Sequence, residues 1–232
     1  FRAASEALRT TNERARAMKP DYISPDGRIK LYNADCMDYM EALKPNAFEL
    51  AVVDPPYGID INSSGRLGHY GGKGKSWDLV TPKQDYFLSL YGKAGNQIVW
   101  GANYFEMPPS RGFLIWDKQQ PEGVSFASCE FAWSSFDRSA KTYYQRPQSA
   151  DSVRIHPTQK PVKLYDWIYK NYAKEGDRIL DTHLGSGSSA IAAHYAGLEF
   201  VGIELDEDYF KAAVERFEKE TAQGDMFGKG AA

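Results

Sequence analysis

Arg178-Ile179-Leu180-Asp181-Thr182-His183-Leu184-Gly185-Ser186-Gly187-Ser188-Ser189 is the stretch on which the fold turns. Its apolar start reads as a short buried strand that ends at Asp181. A glycine loop follows, then a helix over residues 190–195 closed by Gly197, then a strand over residues 200–203 that ends at Glu204. Strand, loop, helix and strand make a βαβ unit, the building block of parallel sheets. Gly185 and Gly187 let the backbone approach a ligand with no Cβ in the way. The loop is not a full GxGxxG and lacks the Gly-Lys-Ser that cradles a triphosphate. Glu204 lies roughly 20 residues beyond the loop entrance, where a carboxylate can take both hydroxyls of a ribose.

Asp181 decides between ligands of that shape. A carboxylate at the loop entrance repels a pyrophosphate and attracts an ammonium or sulfonium group. S-adenosylmethionine carries both cations, with an adenosine for Glu204, so the loop favours it over a dinucleotide. Upstream, the apolar run Leu50-Ala51-Val52-Val53 reads as another buried strand, and it delivers Asp54-Pro55-Pro56-Tyr57. The two prolines have fixed φ and no N–H, so this turn is stiff and rich in acceptors. Asp54, the Pro55 carbonyl and the flat ring of Tyr57 suit a planar base that carries an exocyclic amine. The plainer reading is a proline-rich turn that closes a strand. Asp35, Asp54, Asp181 and Glu204 all fall at the carboxyl ends of expected strands. A parallel sheet gathers such ends on one edge, where ligands bind.

The remainder of the chain supports one α/β domain over residues 1–232. It is a doubly wound, mostly parallel sheet with helices on both faces. Residues 28–33 and 98–100 read as further strands, and residues 36–43, 85–91, 161–172 and 206–220 as helices. Residues 113–116 and 131–136 are additional strands, and residues 141–145 are expected to complete a hairpin with the latter. Residues 62–77 are rich in Gly and Ser and carry Arg66, His69, Lys73 and Lys75, which reads as a phosphate-contacting loop beside the active turn. Arg138, Lys141, Arg146 and Arg154 interleave with aromatics further on, a pattern of nucleic-acid surfaces and also of an antiparallel sheet edge whose aromatics pack inward, the reading favoured for the aromatics. Residues 1–19 and 224–232 are peripheral arms, and a first residue of Phe1 suggests a trimmed start. The formal net charge of −3 means that DNA must be held by a local basic patch. Cys36 and Cys129 make no CxxC pattern, which suits a reducing cytoplasm. The four histidines show no ligand spacing, so no metal is expected. No long apolar segment suggests a membrane span.

At these residues the chain resembles the DNA amino-methyltransferases, which act on adenine N6 or cytosine N4. Asp54-Pro55-Pro56-Tyr57 is similar to their catalytic motif, and residues 181–189 to their S-adenosylmethionine motif, with His183 and Leu184 where an aromatic is common. His156-Pro157-Thr158-Gln159-Lys160-Pro161 and Leu31-Tyr32-Asn33-Ala34-Asp35-Cys36 resemble segments of one subgroup. The resemblance spans about residues 28 to 220. Catalytic turn first and cofactor loop later is the β arrangement, a circular order that makes residues 28–155 the catalytic half and 156–220 the cofactor half. The resemblance implies cofactor contacts at Asp35, Cys36, Asp54, Thr158, Lys160, Asp181, His183, Leu184, Gly185, Gly187, Ser188, Glu204 and Leu205. Lys160 is expected at the cofactor carboxylate. An Asp at the head of the turn resembles the adenine enzymes more than the cytosine enzymes. The implied partner is double-stranded DNA, with a homodimer or partner subunit left open. The rival readings are an N4-cytosine enzyme, a non-catalytic DNA-binding subunit and a dinucleotide enzyme. Restriction-modification, phage protection and gene regulation stay equally open.

Overall fold

A computed structural model describes residues 18–59, 78–121, 123, 127–147 and 154–228, with side chains to residue 222. The described strands are β1 (Tyr22–Ile23), β2 (Ile29–Asn33), β3 (Phe48–Val53), β4 (Ala94–Trp100), β5 (Phe113–Asp117), β6 (Cys129–Ser134), β7 (Lys141–Tyr144), β8 (Arg178–Asp181) and β9 (Glu199–Glu204). The helices are α1 (Cys36–Glu41), α2 (Gln84–Lys93), α3 (Val162–Tyr172), α4 (Ser188–Tyr195) and α5 (Glu207–Gly228). Among the described residues the strands form one sheet in the order β1-β2-β9-β8-β3-β4-β6-β5-β7. β2, β9, β8, β3 and β4 are mutually parallel neighbours, and β6 runs antiparallel between β4 and β5.

The strand sequences explain the two-layered cover. Side chains alternate across a strand. Leu50 and Val52 of β3 enter a core shared with α3, α4 and α5, whereas Ala51 and Val53 enter a second core with α1 and α2. Ile98 and Trp100 against Val99, and Ile179 against Leu180, divide in the same way. A sheet buried on both faces needs apolar residues at consecutive positions, which is why these strands read as continuous apolar runs. Two of the described helix starts are capped by side chains. Asp35 accepts from the Met37 amide at the head of α1, and Asp206 accepts from the Asp208 and Tyr209 amides at the head of α5.

One expectation fails at the far side of the sheet. β7 does not form a hairpin with β6; it adds to β5 in parallel, with Leu114 opposite Lys141 and Asp117 opposite Tyr144. Tyr143 packs its ring on Trp167 of α3 at 5.3 Å, so the helix draws β7 past β6 to the outer edge. No described helix is long and apolar enough to cross a membrane.

β8 and β3 set the position of the site. They are adjacent and parallel, with Leu50 beside Ile179 and Ala51 beside Leu180. The chain after β8 enters α4 on one face, whereas α2, the next described helix after β3, lies on the other. Adjacent strands whose helices part to opposite faces leave a crevice at their carboxyl ends.

Candidate active site

β3 ends at Val53 and its next four residues form the first wall of the crevice. Pro55 is buried, and the Tyr57 and Gly58 amides both donate to Asp78 Oδ1, at 2.8 and 3.1 Å. Tyr57 donates its hydroxyl to Asp54 Oδ1 at 2.5 Å and stacks on Tyr104 at 5.0 Å with 14° between the rings. Gly101, at the end of β4, makes room for that ring. Its φ is +74°, and a Cβ there would sit 2.1 Å from a Tyr57 ring carbon. No other residue type fits both demands.

Lys160 meets the other oxygen of Asp54. Its Nζ lies 2.5 Å from Asp54 Oδ2, 3.2 Å from Tyr57 Oη and 3.0 Å from Glu130 Oε2. Lys118 holds the second Glu130 oxygen at 2.6 Å. Four charges of alternating sign thus run inward from the carboxyl end of β5 to that of β3. Burial lifts the Asp54 acid above its ordinary range; Lys160 works against that and Glu130 with it. Burial also works to raise Glu130, but Lys160 and Lys118 outweigh it and hold the group at about 2. Lys160 was expected at a cofactor carboxylate; its partners in this structure are the two protein carboxylates. The side chain is 2% exposed and its ammonium is engaged by Asp54 and Glu130.

The second wall is the loop after β8. Asp181 is buried and accepts from Ser189 Oγ at 2.5 Å and from the His183 amide at 3.0 Å. Burial raises its pKa to about 7, opposed by those two donors and reinforced by Asp54 and Glu204. Gly185 and Gly187 have φ of +52° and +73°. A Cβ on Gly185 would come into ordinary contact with the His156 ring, at 3.9 Å, so that ring packs over the first glycine of the loop. Glu204 accepts from the Gly185 amide at 2.8 Å and the Asp206 amide at 2.9 Å. Each carboxylate oxygen keeps a lone pair for a further donor.

Several expected residues take other parts. Leu184 is a core side chain, 4% exposed and close against Gly202, so only its backbone belongs to the loop. Ser188 turns inward, where Arg216 of α5 donates to its hydroxyl at 2.9 Å and to the Ser186 carbonyl at 2.8 Å. His183 lies edge-on to Tyr86, with its Nδ1 3.0 Å from the Thr182 hydroxyl, and burial lowers its pKa to about 4. Thr158 bonds His156 Nδ1 through its hydroxyl at 3.2 Å, and the His156 ring packs on Tyr209. Asp35 and Cys36 stand at the head of α1 beside the β9 exit, and Leu205 is 70% exposed there. Asn33, which sequence reasoning passed over, donates to the carbonyls of Glu204 and Leu205 and pins that exit to β2. Arg216, Glu130 and Tyr104 were also missed; no local pattern marks them.

The basic residues divide. Arg66, His69, Lys73 and Lys75 lie outside the described residues. Arg138 and Lys141 do not reach the site. They sit at the amino end of β7, on the opposite edge of the sheet, where Arg138 donates to the Asn171 carbonyl and Lys141 to the Asn171 side chain, each at 2.8 Å. Both side chains are exposed on that edge, away from the crevice. Arg146 follows β7 on the carboxyl edge and is exposed. The described residues hold no cluster of metal-ligating side chains.

Residues 98–215, half of the chain, match the family of N6/N4 DNA methylases, and the protein belongs to that family. The matched span holds Glu130, Lys160, Asp181 and Glu204 and begins after the Asp54 turn. Among similar proteins are the type II methyltransferases M2.DpnII of Streptococcus pneumoniae and M2.LlaDCHI of Lactococcus lactis subsp. cremoris. The first is 26% identical, over 83% of this chain and 91% of its own. The second is 25% identical, over 89% of this chain and 95% of its own. Of solved structures, the cytosine-N4-specific PvuII DNA methyltransferase superposes with a TM-score of 0.61 at 15% identity, over 89% of this chain and 94% of its own. The M1.HpyAVI–SAM complex superposes with 0.54 at 21% identity, over 81% of this chain and 99% of its own. These structures share the fold.

Proposed function

We propose that the protein transfers a methyl group from S-adenosylmethionine to the N6 amine of an adenine flipped out of DNA. The observation that carries this reading is the adjacency of β3 and β8, which sets the Asp54–Tyr57 turn and the glycine loop side by side at one crevice. The residues present suit the cofactor. Gly185 and Gly187, both at positive φ, present loop backbone without side chains to a nucleoside, Glu204 has lone pairs for ribose hydroxyls, and Asp181 is a carboxylate placed for a cation. The bound cofactor supplies an electrophilic methyl on sulfur.

The chain's own groups do the rest. An adenine amine is a poor nucleophile because its lone pair is delocalised into the ring. Hydrogen bonds from the amine to Asp54 and to the Pro55 carbonyl favour a tetrahedral nitrogen whose lone pair is free to attack. In the resting arrangement Tyr57 Oη occupies Asp54 Oδ1 and the ring stacks on Tyr104, so the amine replaces that hydroxyl and the base displaces Tyr104 to stack against the Tyr57 ring. The acceleration comes mainly from positioning. Flipping costs a few kcal/mol, least for a mismatched base. Arg66, His69, Lys73 and Lys75, which follow the turn in sequence, and the exposed Arg146 supply contacts to phosphates. Asp at the head of the turn favours adenine, as in the enzymes that it resembles.

The test is transfer of a labelled methyl to duplex DNA, followed by hydrolysis and mass spectrometry of the bases. N6-methyladenine is expected. N4-methylcytosine would overturn the base assignment, and unlabelled DNA the function. Methylome sequencing of expressing cells then gives the recognition sequence.

A further inference from the structure

We propose that Lys160 is a positioning residue for methyl transfer: pinned from behind by Glu130, its ammonium fixes the Asp54 carboxylate in the orientation that accepts the target amine. The proposal rests on Asp54 being the acceptor and goes beyond that reading by assigning what aims it. Three observations carry it. Lys160 Nζ bridges the two carboxylates, at 2.5 Å from Asp54 Oδ2 and 3.0 Å from Glu130 Oε2. The ammonium is almost sealed from solvent, with the Lys160 side chain 2% exposed over the Trp100 ring at 5.3 Å, while Asp54 and Glu130 are partly buried, at 16% and 23% exposure. Lys118 then closes the chain by holding Glu130 from the β5 side at 2.6 Å.

Two partly buried carboxylates so close to one ammonium cannot both stay ionised without it. The groups that act on Asp54 are Lys160, Glu130 of β6, Tyr57 of its own turn and Asp181 of β8, with the Tyr86 and Tyr165 hydroxyls from α2 and α3. Lys160 is the single cation in that set. Removing it leaves Glu130 and Asp181 to repel the Asp54 carboxylate, which then keeps its proton to a higher pH. A protonated Asp54 offers the amine a poorer acceptor, and nothing holds its angle.

The experiment compares wild type, Lys160→Met, Lys160→Arg and the double variant Lys160→Met/Glu130→Gln. It measures kcat and KM across pH, S-adenosylmethionine affinity by calorimetry, and the Asp54 carboxyl titration by carbon-13 NMR. Lys160→Met is expected to lower kcat about 100-fold near neutral pH and to move the acid limb up by about one unit or more. Cofactor affinity stays within about threefold, since the ammonium is engaged away from the cofactor. Lys160→Arg restores part of kcat, and the double variant moves the acid limb back because the repelling charge is gone. A loss of cofactor affinity that matches the loss of rate places Lys160 on the cofactor and overturns the proposal. An unmoved acid limb and an unmoved Asp54 titration also overturn it, leaving Lys160 a structural residue. Wild type that transfers no methyl refutes the proposed function instead, while the NMR titration still decides whether Lys160 governs Asp54.

Discussion

Asp181→Asn should remove a pH dependence of cofactor binding that the buried carboxylate imposes. In the free protein the Asp181 pKa is raised from 3.8 to about 7, chiefly by burial. A cationic ligand favours the ionised form, so binding releases a proton from Asp181 whenever the pH lies below about 7. Affinity for S-adenosylmethionine should therefore climb from about pH 5 and level off above about pH 7. Two pH units of linkage at 1.36 kcal/mol each amount to about 2.7 kcal/mol, or about 100-fold in affinity. An Asp181 that stays partly protonated in the complex would reduce that to about tenfold. Asn keeps an acceptor for the His183 amide but cannot ionise, so the variant's profile should be flat. The same shift acts on stability with a defined sign. A carboxyl whose folded pKa is raised contributes stability that is complete below its unfolded value and is lost as pH rises through about 7. The ligand-free Asp181→Asn protein should thus gain melting temperature over wild type at about pH 8 and little at about pH 4. Isothermal calorimetry over that range, with buffers of different ionisation enthalpy to count protons, reads the first effect, and thermal melts read the second. A wild-type affinity that is level from about pH 5 to 8, or a slope that survives in Asp181→Asn, would refute the placement of Asp181 against the cofactor cation.

Three further substitutions address the rest of the site. Gly101→Ala places a Cβ 2.1 Å from the Tyr57 ring at a φ of +74°; it should reduce methyl transfer at least about tenfold while cofactor affinity holds, and normal turnover would mean that the ring position is immaterial. Glu204→Ala removes the acceptor of the Gly185 and Asp206 amides and of the ribose; charge-assisted bonds of about 1.5–3 kcal/mol predict cofactor affinity about 10- to 100-fold weaker, and an unchanged calorimetric constant would show the ribose to lie elsewhere. Arg216→Met strands the Ser186 carbonyl in the core, while the Ser188 hydroxyl keeps the Ser186 hydroxyl as a partner; at about 1–3 kcal/mol for the unsatisfied group the urea midpoint should fall with the slope unchanged, and an unaltered midpoint would refute its role as the brace of the loop.

The local readings succeeded where a pattern is carried by neighbours in sequence. Consecutive apolar residues in Leu50-Ala51-Val52-Val53 announce a strand covered on both faces, and the core lies on both sides of it as expected. Asp54, Asp181 and Glu204 could be set at strand ends because apolar runs stop there, and the parallel direction of those strands brings the ends to one edge. The extra strands were also visible, but the partner of β7 was not. An exposed strand of four residues, Lys141–Tyr144, has no alternation strong enough to choose an edge, and its ring contact with α3 decides the matter. That single pairing carried Arg138 and Lys141 away from the site.

The sequence by itself determined the elements, their faces, the two loops and the carboxylates at their mouths, because hydrophobic period and turn chemistry act over a few residues. The tertiary structure alone decided which distant groups meet. Lys160 and Asp54 stand 106 positions apart in the chain, and Arg216 reaches Ser188 from 28 positions away. A long charged side chain finds its partner through the packing of the whole sheet. No spacing in the chain encodes that partner, and only the fold shows the Lys160 ammonium on the Asp54 carboxylate.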